Sequence, residues 1–127
     1  MKRFIDCVIP FRTCNLRCEY CYITHTKSWN QKLPLFQYNA DHISRSLSST
    51  RLGGTCLLNI CGEGETLLPP DIVGIIRSIL ENGHYLMIVT NGTLSQRFDE
   101  ITALPVQSRS RLLIKFSFHF LELKRKN

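Results

Sequence analysis

Apolar residues along this chain gather into four short runs, with polar or helically spaced stretches between them. The first run, Arg3 to Pro10, is largely apolar and β-branched and is closed by Pro10, which predicts a strand. Thr55 to Cys61 is nearly continuous in apolar character, the pattern of a strand buried on both faces. Tyr85 to Thr90 predicts a third strand and Leu112 to Phe120 a fourth. Between the first two, Asn39 is a suitable N-cap for a helix reaching about Ser49, with Ile43 and Leu47 on one face and Gly53-Gly54 ending the unit. Upstream of it lies an irregular polar passage, Thr24 to Lys32, which holds the single tryptophan, Trp29; Pro34 then blocks helix continuation. Pro69-Pro70-Asp71 opens a stronger helix, in which Ile72, Val73, Ile76, Ile79 and Leu80 keep helical spacing until Asn82-Gly83 stops it. A shorter helix is expected over Leu94 to Ile101, ahead of Pro105.

Strand, helix, strand, helix, strand, helix, strand is the order of an α/β fold. Connections of this length join parallel strands through crossovers. Ligand sites in such folds lie at the carboxyl ends of the strands. The unusual sequences of this chain fall at those ends: a cysteine cluster after the first strand, Gly62-Glu63-Gly64-Glu65-Thr66 after the second, and Asn91-Gly92 after the third.

Composition narrows the class. At 127 residues, 43% apolar and 20% charged, the chain reads as one ordinary globular domain, short for a complete α/β barrel. No apolar run approaches the length of a membrane span, and the opening Met1-Lys2-Arg3-Phe4-Ile5-Asp6 reaches an acidic residue too early for a signal peptide. Six cysteines without such a signal predict a reducing, cytoplasmic setting rather than a disulfide framework. The net charge of +6 is spread along the chain, with one compact run at Lys124-Arg125-Lys126. The missing basic patch argues against nucleic acid as a partner.

The candidate chemistry sits in Cys14-Asn-Leu-Arg-Cys18-Glu-Tyr-Cys21-Tyr22, three thiols at C-x3-C-x2-C spacing. Thiolates this close on a short segment suit a soft metal centre, an iron–sulfur cluster above all. A four-iron cluster held by three cysteines keeps one iron open for a cofactor. Two other readings compete. Positions i, i+4 and i+7 also share one helix face, where free cysteines are inert small hydrophobes. A zinc site would need a fourth ligand, with His25 nearest and Cys7, Cys56 and Cys61 further off.

These residues resemble the radical S-adenosylmethionine enzyme family. The resemblance rests on the three cysteines with an aromatic before the third, on Gly64-Glu65 after the second strand and on Thr90-Asn91-Gly92 after the third. It implies that Cys14, Cys18 and Cys21 ligate a 4Fe–4S cluster whose fourth iron is chelated by S-adenosylmethionine. It places Tyr20 against the cofactor's adenine region and Gly64 and Glu65 at its amino group. Asn91 and Ser117, at the ends of the third and fourth strands, would touch its ribose and methionine portions. The family's Gly-Gly-Glu reads Glu63-Gly64-Glu65 here, so the first glycine is replaced or displaced to Gly62. A glycine suits close backbone approach, and a carboxylate suits an ammonium. Arg12 and Arg17 flank the cluster segment and either tune it or lie on the surface.

The implied reaction is reductive cleavage of S-adenosylmethionine to a 5′-deoxyadenosyl radical that takes a hydrogen atom from the substrate. The implied partners are an electron donor such as flavodoxin or ferredoxin and, by likeness of the cysteine segment, a peptide or protein substrate. The implied fold is a parallel-stranded partial (β/α) barrel. Six strands are usual in that family and four are predicted here, so residues 1–127 are expected to form an incomplete core domain of about four βα units. A truncated, inactive remnant and a zinc-binding interaction module are the alternatives.

Overall fold

Four strands pair side by side in the order in which they occur. In the computed structural model, which describes residues 1–33 and 35–126, β1 (Phe4–Ile9), β2 (Leu57–Gly62), β3 (Tyr85–Thr90) and β4 (Leu112–Phe116) make one sheet in the order β1-β2-β3-β4. Every neighbouring pair is parallel. Helices α1 (Tyr22–His25), α2 (Ala40–Ser46) and α3 (Ser49–Leu52) lie between β1 and β2, and α4 (Ile72–Glu81) lies between β2 and β3. Helices α5 (Ser95–Thr102) and α6 (Val106–Arg109) connect β3 to β4, and α7 (Phe120–Lys126) follows. This is the predicted α/β class, with a sheet compatible with a partial (β/α) barrel. The helix block expected at Pro34 lies outside the described residues.

The core is one-sided. Leu58 and Ile60 of β2 and Leu86 and Ile88 of β3 are buried together with Ile72, Ile75, Ile76, Ile79 and Leu80 of α4. Each such side chain contributes about 1.5–3 kcal/mol on burial, so α4 and the two central strands stabilise one another. From β1, Ile5, Cys7 and Ile9 pack against this cluster, which makes Cys7 a core thiol. On the other face Phe4, Val8 and Leu113 are exposed. The run Thr55–Cys61 is therefore buried on alternate residues, not on both faces as its composition suggests.

His84 locks the entry to the central strands. It is fully buried, and the Cys56 N–H donates to its Nδ1 at 3.1 Å. The proton must then reside on Nε2, which donates to the Leu47 carbonyl at 2.6 Å. Leu47 is the C-cap of α2, so one imidazole ties that helix to the start of β2.

Two elements end earlier than their apolar patterns predict. Asn39 does cap α2, its Oδ1 accepting from the His42 N–H at 2.9 Å, but the helix stops at Ser46. Ser48 opens a separate turn by accepting from the Arg51 N–H, and Gly53 closes α3 at φ 77°. A serine side chain that competes for backbone donors favours a cap over a helix interior. The fourth apolar run was expected to be strand as far as Phe120, yet β4 ends at Phe116. Its partner explains this: the Ser117 N–H donates to the Thr90 carbonyl, and β3 then turns away through Gly92 at φ 75°. Residues beyond 117 have no strand among the described residues to pair with, and α7 takes up 120–126, with Lys124-Arg125-Lys126 in its last turn where a helix dipole favours cations.

Substituting Ile76→Ala should destabilise the domain by about 2–5 kcal/mol, read as a lower urea midpoint with an unchanged slope.

Candidate cofactor cleft at the strand ends

The site begins with two loops running side by side. Beyond β1, the carbonyls of Ile9, Phe11 and Thr13 accept from the N–H groups of Glu63, Gly64 and Glu65, at 3.2, 2.8 and 2.9 Å. A side chain at Gly64 would run into the backbone of Thr13, so glycine is required here by the loop-to-loop contact. This zipper holds the start of the cysteine segment. Buried Phe11, Leu16 and Ile23 anchor it from beneath. Arg17 closes it from outside: its guanidinium donates to the carbonyls of Cys14 and Leu16, at 2.5 and 2.9 Å, and lies 4.3 Å from the centroid of the Trp29 ring. Arg12 instead pairs with Glu63 at 2.9 Å, and that contact raises the pKa of its guanidinium.

A cleft of about 270 Å³ opens over this segment at the carboxyl ends of the strands. Cys14, Cys18 and Cys21 line it, as do Tyr20, Gly64, Glu65, Asn91 and Ser117. The structure thus brings all eight residues singled out from the sequence to one cavity. His25, the nearest alternative zinc ligand, is not among the lining residues, whereas Cys61 is.

The three thiols are free, as are Cys7, Cys56 and Cys61. Cys14 Sγ accepts from the Leu16 N–H at 3.4 Å and from Asn91 Nδ2 at 3.7 Å, contacts of the kind that steady a thiolate. Burial pushes the Cys14 and Cys18 thiols up. Among the described residues no three His, Cys, Asp or Glu side chains are gathered tightly enough to hold a metal ion. The donor set nevertheless fits an iron–sulfur cluster: three soft thiols face one open space. The cleft also contains Trp29, whose buried Nε1 finds no acceptor. Such an orphaned donor suits a ligand that brings acceptors.

Glu65 has a role that its sequence position did not disclose. The side chain is 2% exposed, and its Oε1 accepts from the Leu67 N–H at 3.0 Å and from Thr90 Oγ1 at 2.5 Å. Its Oε2 accepts from the Asn91 N–H at 2.8 Å. The carboxylate therefore clamps the loop after β2 to the end of β3. Asn91 extends the clamp, since its Nδ2 donates to Asn15 Oδ1 at 2.9 Å and its Oδ1 accepts from Thr93. Ser117 comes to the cleft through the backbone bond to Thr90. Tyr20 reaches across to His119, with its hydroxyl 2.5 Å from Nδ1 and the two rings stacked at 5.7 Å. Arg125 of α7 pairs with Glu19 at 2.7 Å and with Glu122 at 3.0 Å, which leans that helix on the cysteine segment.

Four participants escaped selection from the sequence: Asn15, Thr90, Trp29 and His119. Thr90 was within reach, because it directly precedes Asn91-Gly92 at a strand end. For Asn15 and Trp29 the only signal was closeness to the cysteines, and His119 gains its place from the turn after β4.

Comparison with known proteins agrees with this geometry. The model of the radical SAM superfamily matches residues 8–112, well over half of the chain. The chain belongs to that superfamily. It is 27% identical over 84 residues to the 7-carboxy-7-deazaguanine synthase of Thermoplasma acidophilum, a match covering 66% of this chain and 36% of that protein. The chain thus matches little more than a third of that relative's length. No described helix is long and apolar enough to cross a membrane.

Two substitutions probe the clamp and the zipper. Glu65→Gln keeps the shape but turns an NH2 group towards a donor, and should cost about 1–3 kcal/mol, with faster exchange of the Asn91 amide. Gly64→Ala should separate the two loops, seen as lost protection of the Gly64 and Glu65 amides while those of β2 and β3 stay protected.

Proposed function

We propose that this chain works as a radical S-adenosylmethionine core. In this reading Cys14, Cys18 and Cys21 hold a 4Fe–4S cluster and the cleft beside them receives S-adenosylmethionine. The observation that carries the reading is that three free thiols, the Glu63–Glu65 loop and the ends of β3 and β4 line one cavity. Held by Cys14, Cys18 and Cys21 and by the cleft beside them, cluster and cofactor would supply one-electron reductive radical chemistry on a substrate.

The residues of the chain orient and exclude. Leu16 N–H and Asn91 donate towards the Cys14 sulfur and steady it as a ligand. Gly64 lets the loop lie flat against Thr13, which a Cβ at this position would prevent. The carboxylate of Glu65 is committed to three internal donors and fixes the loop, adding a buried negative charge beside the site of an ammonium. Glu63, exposed enough to pair with Arg12, supplies a second carboxylate at the same place. Tyr20, held by His119, offers a ring face to the adenine. Asn91 and Ser117 supply polar contacts from the strand ends.

The electron comes from a small carrier such as flavodoxin or ferredoxin, in a reducing cytoplasm consistent with six free cysteines. A peptide or protein substrate follows from the likeness of the cysteine segment. A second reading, a small heterocyclic substrate, is favoured by the name of the deazaguanine-forming relative.

Anaerobic reconstitution with iron and sulfide tests the proposal. A reduced 4Fe–4S signal is expected that changes when S-adenosylmethionine is added and is lost in Cys18→Ala. A cluster indifferent to the cofactor, or none at all, would replace this reading with that of a remnant.

A further inference from the structure

The outer side of the cysteine segment carries positive charge that nothing nearby balances. No aspartate or glutamate occurs between Tyr20 and Ala40. Lys27 and Lys32 of that stretch are exposed, and so is Arg17 on the cysteine segment itself. Two carboxylates border the area, and each is already taken: Glu63 pairs with Arg12 and Glu19 with Arg125. Among the described residues Arg17, Lys27 and Lys32 belong to no ion pair. Arg17 donates to neutral carbonyls, those of Cys14 and Leu16, so its charge stays uncancelled.

The two stretches make one surface because they touch in three places. The Arg12 N–H donates to Asn30 Oδ1 at 2.6 Å, and the Asn30 N–H donates to the Arg12 carbonyl at 2.9 Å. The Thr13 hydroxyl donates to the Lys32 carbonyl at 3.3 Å. Trp29 makes the third contact, its ring centroid 4.3 Å from the Arg17 guanidinium. Lys27 stands two residues before that ring, at a turn where its φ is 50°. Trp29 also lines the cofactor cleft. A single aromatic ring therefore touches both the charged surface and the cavity where Cys14, Cys18 and Cys21 meet.

We propose that Arg17, Lys27 and Lys32, gathered around Trp29, are the docking surface for an acidic electron-carrier protein, one that holds a reduced flavin or iron–sulfur centre. Complementary charge speeds encounter and fixes orientation more than it adds affinity. That suits a partner that must arrive, give up one electron and leave. The carrier is oxidised by one electron and the centre held by the three cysteines is reduced by it, with no atom exchanged. The proposal rests on the radical S-adenosylmethionine reading for its purpose, but the charged surface itself needs no cluster. Nucleic acid is the less favoured occupant, because three cations around one ring make no stripe along which a phosphate backbone could run.

The test is binding of the full chain, metal-free and reconstituted, to a purified acidic flavodoxin and a purified acidic plant-type ferredoxin, at low and at high salt. At least one carrier should shift the amides of residues 12–17 and 27–32 in the metal-free chain. That binding should weaken about tenfold in the double variant Lys27→Glu, Lys32→Glu, and should weaken with added salt. The charge-matched double variant Arg45→Glu, Arg51→Glu, on α2 and α3, should bind as the parent chain does. In the reconstituted chain, reduction by the carrier should slow about tenfold in the lysine variant, while reduction by dithionite, which needs no docking, keeps its rate. Equal losses in the two double variants would reduce the effect to net charge and overturn the assignment. Carrier binding indifferent to the lysines, no binding of either carrier, or tighter binding of a single-stranded oligonucleotide than of both carriers would overturn it as well. Lysine-dependent carrier binding by a chain that builds no cluster would remove the radical reading alone and leave the docking surface standing. A cofactor-responsive cluster in a chain that binds neither carrier would do the reverse.

Discussion

The buried carboxylate of Glu65 is the contact on which the working end of this molecule depends. It gathers donors from three places, the Leu67 and Asn91 backbones and the Thr90 hydroxyl, and so joins a loop that follows β2 to the end of β3. A polar group taken out of water is tolerated when its oxygens find donors, and here both do. The clamp also propagates. Thr90 Oγ1 accepts from the Gly92 N–H, and Asn91 reaches Asn15 and the sulfur of Cys14. One buried side chain therefore links, through Asn91, the cysteine segment to the ends of the two central strands.

A second constraint is the one-sided sheet. Parallel strands need long crossovers, and the crossovers place α4 and its neighbours over Leu58, Ile60, Leu86 and Ile88. The opposite face carries Phe4, Val8, Leu113, Lys115 and the Asp6–Asn59 pair. The cofactor cleft and that open face meet at Cys61 and Val89. In this arrangement the strand ends line the cleft, and the open sheet surface lies below them. Scaffold and chemistry are divided between the two faces of the same strands.

Much of this was legible without coordinates. The cysteine spacing, the glycine–glutamate loop and Asn91-Gly92 announce a site because each follows a predicted strand, and parallel α/β order sends such segments to one end. The third strand and α4 were readable almost to the residue, since a period of two and a period of 3.6 are hard to confuse in runs bounded by Asn-Gly and Pro-Pro. The fourth strand was not. Phe118 and Phe120 look like strand residues, and only the turning away of β3 at Gly92 removes their partner. The split between α2 and α3 was hidden similarly, because Ser48 reads as an ordinary helix-surface residue until its side chain is seen to cap the next turn.

The sequence by itself determined the element types, their parallel order and the identity of the sulfur donors, because those follow from local periodicity and the spacing of reactive side chains. Only the tertiary structure decided which way each polar group faces. Glu65 turns inward to the backbone, Arg12 outward to Glu63, Tyr20 across to His119, and Asn59 sideways to Asp6. These are contacts between residues 26 to 99 positions apart. Hydrogen bonding depends on direction and distance in space, which spacing along a chain does not specify.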